Sequence, residues 1–228
     1  MQINRQKFTE FDFFMDEDVR AKRIGILCME TTLTSILTEA LFRVREKAIQ
    51  YHKNRIYNFD IHKQMGEIKW SSLNLIRSFI ALEFAKKFLY YWQAGPFPIL
   101  FFNAPFIDSH QNSISNFFTQ LPELKIPQLL DLENSRSILL LDTFSTPPGH
   151  KFEEQIKKSN DLSRCFRLDS RSNDLIQLTD LLLGITVFGM FQKQTTSKAK
   201  VNLLNGFAQE YQRAKGSTLN QGNCIYYL

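Results

Sequence analysis

A mixed α/β domain, a central sheet flanked by helices, is what this sequence predicts, and three observations carry the prediction. Short apolar runs of strand length alternate with longer segments whose apolar residues recur at helical spacing. The 228 residues, 26.7 kDa with 43% hydrophobic and 22% charged positions, can bury a sizeable core. Only 9 Gly and 7 Pro are present, which excludes a disordered or collagen-like chain.

The elements follow in order. Phe11 to Met15 is an aromatic run ending in Asp16, Glu17 and Asp18, and Ile24 to Met29 is a second apolar run. Joined by a short polar link, they read as a β-hairpin with the acids where the first strand ends. After Thr31-Thr32, the spacing of Leu33, Leu37, Ala40, Leu41, Val44 and Ala48 predicts an amphipathic helix from Thr32 to about Lys53. Residues 56–71 are less regular and contain Glu67-Ile68-Lys69-Trp70. Ser71-Ser72 is expected to cap a second helix with Leu75, Phe79, Leu82, Phe84, Ala85, Phe88 and Leu89 on its apolar face, stopped at Gly95-Pro96.

Phe97 to Phe102 and Ser137 to Leu141 read as buried strands, the second ending at Asp142, with a helix near Ser113 to Leu121 between them. Thr143 to Gly149 reads as a loop and Lys151 to Lys158 as a short helix. Ser172-Asn173-Asp174 opens an apolar helix from Leu175 to about Phe191, and the polar tail holds a helix near Val201 to Ala214. Residues 1–192 are therefore expected to form one domain, with 193–228 a basic extension packed on it. The 21 Phe residues fall largely in strands and on helix faces, where they fill core.

The formal charge is +5 and the pI about 9.1. From Lys193 onward, Lys193, Lys198, Lys200, Arg213 and Lys215 face the single acid Glu210, so the tail nearly accounts for the whole excess. A basic tail suits phosphates, although no dense cluster makes the signal specific. Cys28, Cys165 and Cys224 are odd in number and widely spaced, which argues against a disulfide framework or structural zinc and for a reducing compartment. The first residues lack the apolar core of a secretory signal, and Leu181 to Phe191 is too short to span a bilayer. A soluble cytoplasmic protein without membrane contact is expected.

Three acidic positions are out of place for a purely structural chain. Asp16-Glu17 ends one apolar strand, Asp142 ends another, and Asp180 lies inside an apolar helix with Gln177 on the same face. Strand-end acids commonly begin turns. A buried helix carboxylate, by contrast, costs several kcal/mol unless it is hydrogen-bonded or paired with a cation. Gathered carboxylates without Cys or clustered His select Mg²⁺ or Mn²⁺, and two such ions about 4 Å apart can promote phosphodiester hydrolysis. Lys69 could stabilise a phosphate or pair with Asp16. His62 could join the site or sit on the surface. Trp70 and Tyr90-Tyr91-Trp92 could stack on bases or fill core. Nucleotide-cradling loops and a serine-hydrolase elbow are absent from the sequence.

The stretch Leu168-Asp-Ser-Arg-Ser-Asn-Asp-Leu-Ile-Gln177-Leu-Thr-Asp180-Leu-Leu-Leu-Gly184 resembles the C-terminal signature of the family called domain of unknown function 3800. Asp16-Glu17 resembles the family's first-strand pair, and Glu67 to Trp70 resembles a stretch that precedes a long helix in similar proteins. The resemblance runs from about Phe11 to Phe191. It implies an RNase H-like fold and a metal-dependent nuclease site, often in phage-defence or mobile-element settings. Carried over, it makes Asp16 the first-strand metal ligand, Asp180 the helix ligand and Gln177 its neighbour, with Glu67 or Asp142 completing the set.

The expected function is thus a Mg²⁺- or Mn²⁺-dependent nuclease acting on RNA or DNA. Asp16, Glu17, Asp180, Gln177 and Lys69 form the catalytic group, and Asp16, Glu67, Asp142 and Asp180 the metal ligands. Asp18 and Val19 stand where the family commonly has Ser-Gly. The alternative is therefore a catalytically degenerate subunit that binds nucleic acid or a protein partner, or assembles with its own copies.

Overall fold

The computed structural model describes residues 10–61, 65–94, 99–123, 136–143, 151–160, 162–190, 197–217 and 225–228. Strands β1 (Glu10–Asp18) and β2 (Arg23–Glu30) form the expected hairpin. Both run longer than their apolar centres, so the three acids lie within β1 and not beyond it. Asp18 turns the chain by accepting a hydrogen bond from the Ala21 N–H (2.9 Å), and Lys22 closes the turn in the left-handed region at φ 53°.

Helix α1 (Thr31–Lys53) presents Leu33, Leu37 and Leu41 to the core at a spacing of four. A 3₁₀ turn at Trp70–Ser72 precedes helix α2 (Leu75–Ala94). The cap is Asn74, whose Oδ1 accepts from the Arg77 N–H (2.8 Å); Ser71-Ser72 belong to the 3₁₀ turn instead. Phe79, expected on the apolar face, is 61% exposed, and the buried stripe runs through Ile80, Ala81, Phe84, Ala85, Phe88 and Trp92. Strand β3 (Ile99–Pro105) is followed by α3 (His110–Gln120), whose Ser109 cap accepts from the Asn112 N–H.

Strand β4 (Arg136–Asp142) leads to α4 (Phe152–Ser159), strand β5 (Arg164–Leu168) and α5 (Asp174–Met190). Helix α6 (Lys198–Ser217) and the short strand β6 (Ile225–Tyr227) complete the described chain. Strands β5 and β6 add to the expected set. Residues 95–98, 144–150 and 191–196, which hold the expected Gly95-Pro96 stop, most of the Thr143–Gly149 loop and Phe191, lie outside the described residues.

The six strands form one mixed sheet in the order β5-β4-β1-β2-β3-β6. Pairs β1/β2 and β2/β3 are antiparallel, whereas β1/β4, β4/β5 and β3/β6 are parallel. Helices α1, α2, α5 and α6 cover one face around Phe14, Leu27, Met29 and Phe101, while α3 and α4 cover the other around Phe13, Met15, Ile26 and Phe102. Residues of α6 belong to the first of these cores: Leu203 and Phe207 are buried in it, and Tyr211 stacks on Trp92 of α2 at 6.1 Å. Among the described residues no helix is long and apolar enough to cross a membrane.

Candidate functional site

Parallel pairing of β1 with β4 sets Met15 beside Leu141, so the next residues, Asp16 of β1 and Asp142 at the end of β4, come side by side. Side chains alternate along a strand, and Phe14 and Leu140 pack on the α5 side, which places Asp16 and Asp142 on that face too. Gly25 of β2 lies opposite Asp16. A Cβ there would stand 2.9 Å from the Leu183 Cβ, so the bare glycine lets α5 approach the strand ends. Asp180 of α5 then meets Asp16 and Asp142 along a cleft of about 700 Å³, bordered also by Lys69, Trp70 and Lys200.

Asp16 is only 5% exposed. Its Oδ1 accepts from the Glu17 N–H at 2.8 Å, while Oδ2 is buried with no hydrogen-bond partner. Burial pushes its pKa well above the usual carboxylate range, helped by Asp180, Glu17 and Asp142 and opposed by Lys69. Asp180 is partly buried, with its pKa raised to about 6 by burial; the Trp70 N–H and Lys69 pull it back, and Asp18 and Glu67 push it further up. Lys69 supplies the counter-charge: its Nζ lies 2.9 Å from Asp142 Oδ2 and 3.1 Å from Glu67 Oε1. Burial lowers the pKa of its amine, but the bonds to Asp142 and Glu67 outweigh this and hold it above its ordinary value.

The Glu67–Trp70 stretch is docked onto α5 by the motif residues themselves. Gln177, fully buried, accepts from the Ile68 N–H (2.8 Å) and Arg45 (2.9 Å) and donates to the Ser170 carbonyl (2.6 Å). Three residues on, Asp180 Oδ2 accepts from the Trp70 N–H. One turn further, a Cβ on Gly184 would stand 2.2 Å from the Trp70 ring, so only glycine leaves room for the indole. Gln177, Asp180 and Gly184 thus form one helix face that grips residues 68–70. Gln177 positions the site and presents no free group to a substrate.

Other expected residues fall elsewhere. Glu17, one residue past Asp16, sends its carboxylate to the opposite face of the sheet, 3.2 Å from His110 Nε2. Strand alternation turns this carboxylate away from those of the three aspartates, although Glu17 itself borders the cleft. Glu67 reaches the site through Lys69 and accepts a hydrogen bond from the Ser170 hydroxyl. Trp70 and Trp92 are buried core residues, whereas Tyr90 is exposed. His62 lies outside the described residues.

Two participants, Ser170 and Arg45, carried no role in the sequence reading, and a third, Lys200, was expected only as part of the basic tail. Ser170 ties the site together, donating from its hydroxyl to Glu67 and from its N–H to Asp142 Oδ1 (3.2 Å) while accepting from Gln177. Its signal was the Asp169-Ser170 pair. Arg45 of α1 pairs with Asp174 and donates to Gln177 and to the Met65 and Gly66 carbonyls. Lys200 of α6 places its Nζ 5.0 Å from the Trp70 ring centroid at the cleft wall. Nothing local in the sequence marked Arg45, whereas Lys200 belongs to the basic tail.

Among the described residues, no three His, Cys, Asp or Glu side chains stand ready to hold a metal ion; the cation among these acids is the Lys69 ammonium. Neither a protein-family model, a curated protein nor a solved structure matches the chain.

Proposed function

We propose that this chain is a divalent-metal-dependent nuclease of RNase H-like type that hydrolyses phosphodiester bonds in RNA or DNA, in the cytoplasm and within a phage-defence or mobile-element system. The observation that carries the reading is the convergence of Asp16, Asp142 and Asp180 on one cleft, with Asp16 Oδ2 buried and unpartnered. A buried carboxylate oxygen without a donor is costly, and a cation is the economical remedy. An antiparallel three-strand start followed by two parallel strands, with acids late in β1 and at the end of β4, suits the family resemblance. Buried free thiols at Cys28 and Cys165 suit a reducing compartment.

All the candidate ligands are hard oxygen donors, which fits Mg²⁺ or Mn²⁺. Asp16 and Asp180 would hold the ion, with Asp142 and Glu67 able to complete the set. When bound, such an ion activates water and stabilises charge on the leaving oxygen. The chain's own contributions are distinct. Gln177 and Ser170 hold Glu67, Lys69 and Asp142 in place. Lys200 and Arg20 border the cleft and draw phosphate toward it.

The test is degradation of single- and double-stranded RNA and DNA with Mn²⁺ against EDTA, for wild type, Asp16→Asn and Asp180→Asn. Asn at 180 keeps an acceptor for the Trp70 N–H, so it removes charge without breaking the fold. Activity in the wild type alone, with all three folded, supports the reading. No degradation of any substrate, together with no Mn²⁺ uptake by calorimetry, sinks it. Lys69, already paired with Asp142 and Glu67, favours a second reading: a non-catalytic subunit that binds nucleic acid or a protein, including its own copies. In that case Asp16→Asn leaves nucleic-acid affinity intact and no variant differs in cleavage.

A further inference from the structure

The four acids of the site do not offer their oxygens equally. Asp142 Oδ1 already accepts from the Thr143 N–H (2.7 Å) and the Ser170 N–H (3.2 Å). Its other oxygen, Oδ2, is the one that would turn to a cation, and it is the one Lys69 holds at 2.9 Å. Glu67 Oε1 is likewise shared between the Ser170 hydroxyl and Lys69. Asp180 Oδ2 is taken by the Trp70 N–H, and Asp16 Oδ2 alone is buried without a partner.

The backbone on either side of Lys69 is fixed. Ile68 and Trp70 are buried and their N–H groups are pinned to Gln177 and Asp180. Lys69 itself is extended (φ −112°, ψ 147°), so its side chain points away from those two neighbours, and it is 26% exposed at the cleft. A flexible four-carbon stem on an immobile backbone lets the ammonium leave the acids while the frame stays put.

Resting on the metal-site reading above, we infer that Lys69 is a displaceable counter-ion: it occupies the Asp142 oxygen a divalent cation needs, so metal binding requires the ammonium to swing away, and Lys69 sets the metal affinity of the site. With the lysine in place the acids are partly neutralised and the apo-protein is stable. A divalent ion gains their attraction only after displacing a charge that is covalently tethered and always present.

The experiment titrates Mn²⁺ calorimetrically into the full chain as wild type, Lys69→Met, Lys69→Gln and Lys69→Arg, and follows thermal unfolding of each in EDTA. Lys69→Met is expected to bind Mn²⁺ about tenfold more tightly, equivalent to about 1.4 kcal/mol. Without metal it should melt earlier, because the acids lose their counter-charge, and Mn²⁺ should raise its melting temperature more than that of the wild type. Lys69→Arg keeps the charge and should bind no more tightly than the wild type. Lys69→Gln gives the same comparison if the Met variant fails to fold. Unchanged or weaker Mn²⁺ binding in the neutral variants overturns the counter-ion role and leaves the nuclease reading standing. Absence of Mn²⁺ binding in every protein overturns both.

Discussion

Strand β1 carries two buried aspartates on one face, four residues apart, and they meet opposite fates. Asp12 and Asp16 are each 5% exposed, and burial raises the pKa of both. At the Asp12 end the start of α1 supplies hydroxyls: Thr31 donates to Asp12 Oδ1 at 3.2 Å, and Thr34 with Thr31 pulls the pKa back down. At the Asp16 end no donor meets Oδ2, and the neighbours Asp180, Glu17 and Asp142 are themselves acids. Burial of an acid is therefore no mark of function. Burial among like charges, without a donor, is the arrangement a structural residue avoids.

The contrast breaks most sharply where the Asp16 end is held together. Gln177→Leu should remove about 3 kcal/mol of stability, since it strands the Ile68 N–H, the Ser170 carbonyl and part of Arg45 in the core. Urea unfolding measures this. A loss below about 1 kcal/mol would mean that residues 68–70 are held by packing alone and that the Gln177 hydrogen bonds do not build the site.

A smaller effect comes from titration. The Asp180 pKa is about 6 in the folded state against an ordinary 3.8, so the folded state binds the proton more tightly than the unfolded one. Stability of the metal-free protein is accordingly highest, from this group, below about pH 4, and is lost as pH rises through 6. At about 1.4 kcal/mol per pKa unit the difference is at most about 3 kcal/mol. Because other carboxylates titrate in the same window, the readout is wild type minus Asp180→Asn, unfolded in urea with EDTA from pH 4 to 7. A flat difference across that range would show that burial does not raise the Asp180 pKa.

Much of this architecture was legible in the residues. The apolar runs located β1 to β4, Ser172-Asn173-Asp174 marked the start of α5, and the strand-end acids marked the cleft. Strand β5 was hidden because Arg164-Cys-Phe-Arg-Leu is short, carries two arginines and lies at a sheet edge where only Cys165 is buried. Strand β6 has three residues and gains its identity only from pairing with β3. The grip of Gln177, Asp180 and Gly184 on residues 68–70 joins segments about 110 positions apart, beyond the reach of any local pattern. Glu17 borders the cleft but points its carboxylate at His110. Two adjacent strand residues point to opposite faces, so the Asp16-Glu17 pair could contribute only one carboxylate to the α5 side.

The finest discrimination between the two ends replaces each aspartate by asparagine. Asp16→Asn removes a charge that nothing on Oδ2 satisfies, so the metal-free protein should gain on the order of 1 kcal/mol at neutral pH and lose its Mn²⁺ uptake. Asp12→Asn trades a desolvated charge for a neutral amide whose carbonyl still accepts from Thr31. Relief of burial and weakening of the hydroxyl bond act in opposite directions, so stability should move by no more than about 0.5 kcal/mol, with Mn²⁺ binding unchanged. Paired urea titrations in EDTA and paired calorimetry resolve the two. Equal stability changes in both variants would show that Asp16 is already satisfied in solution, which removes the reason for a cation at that end of β1.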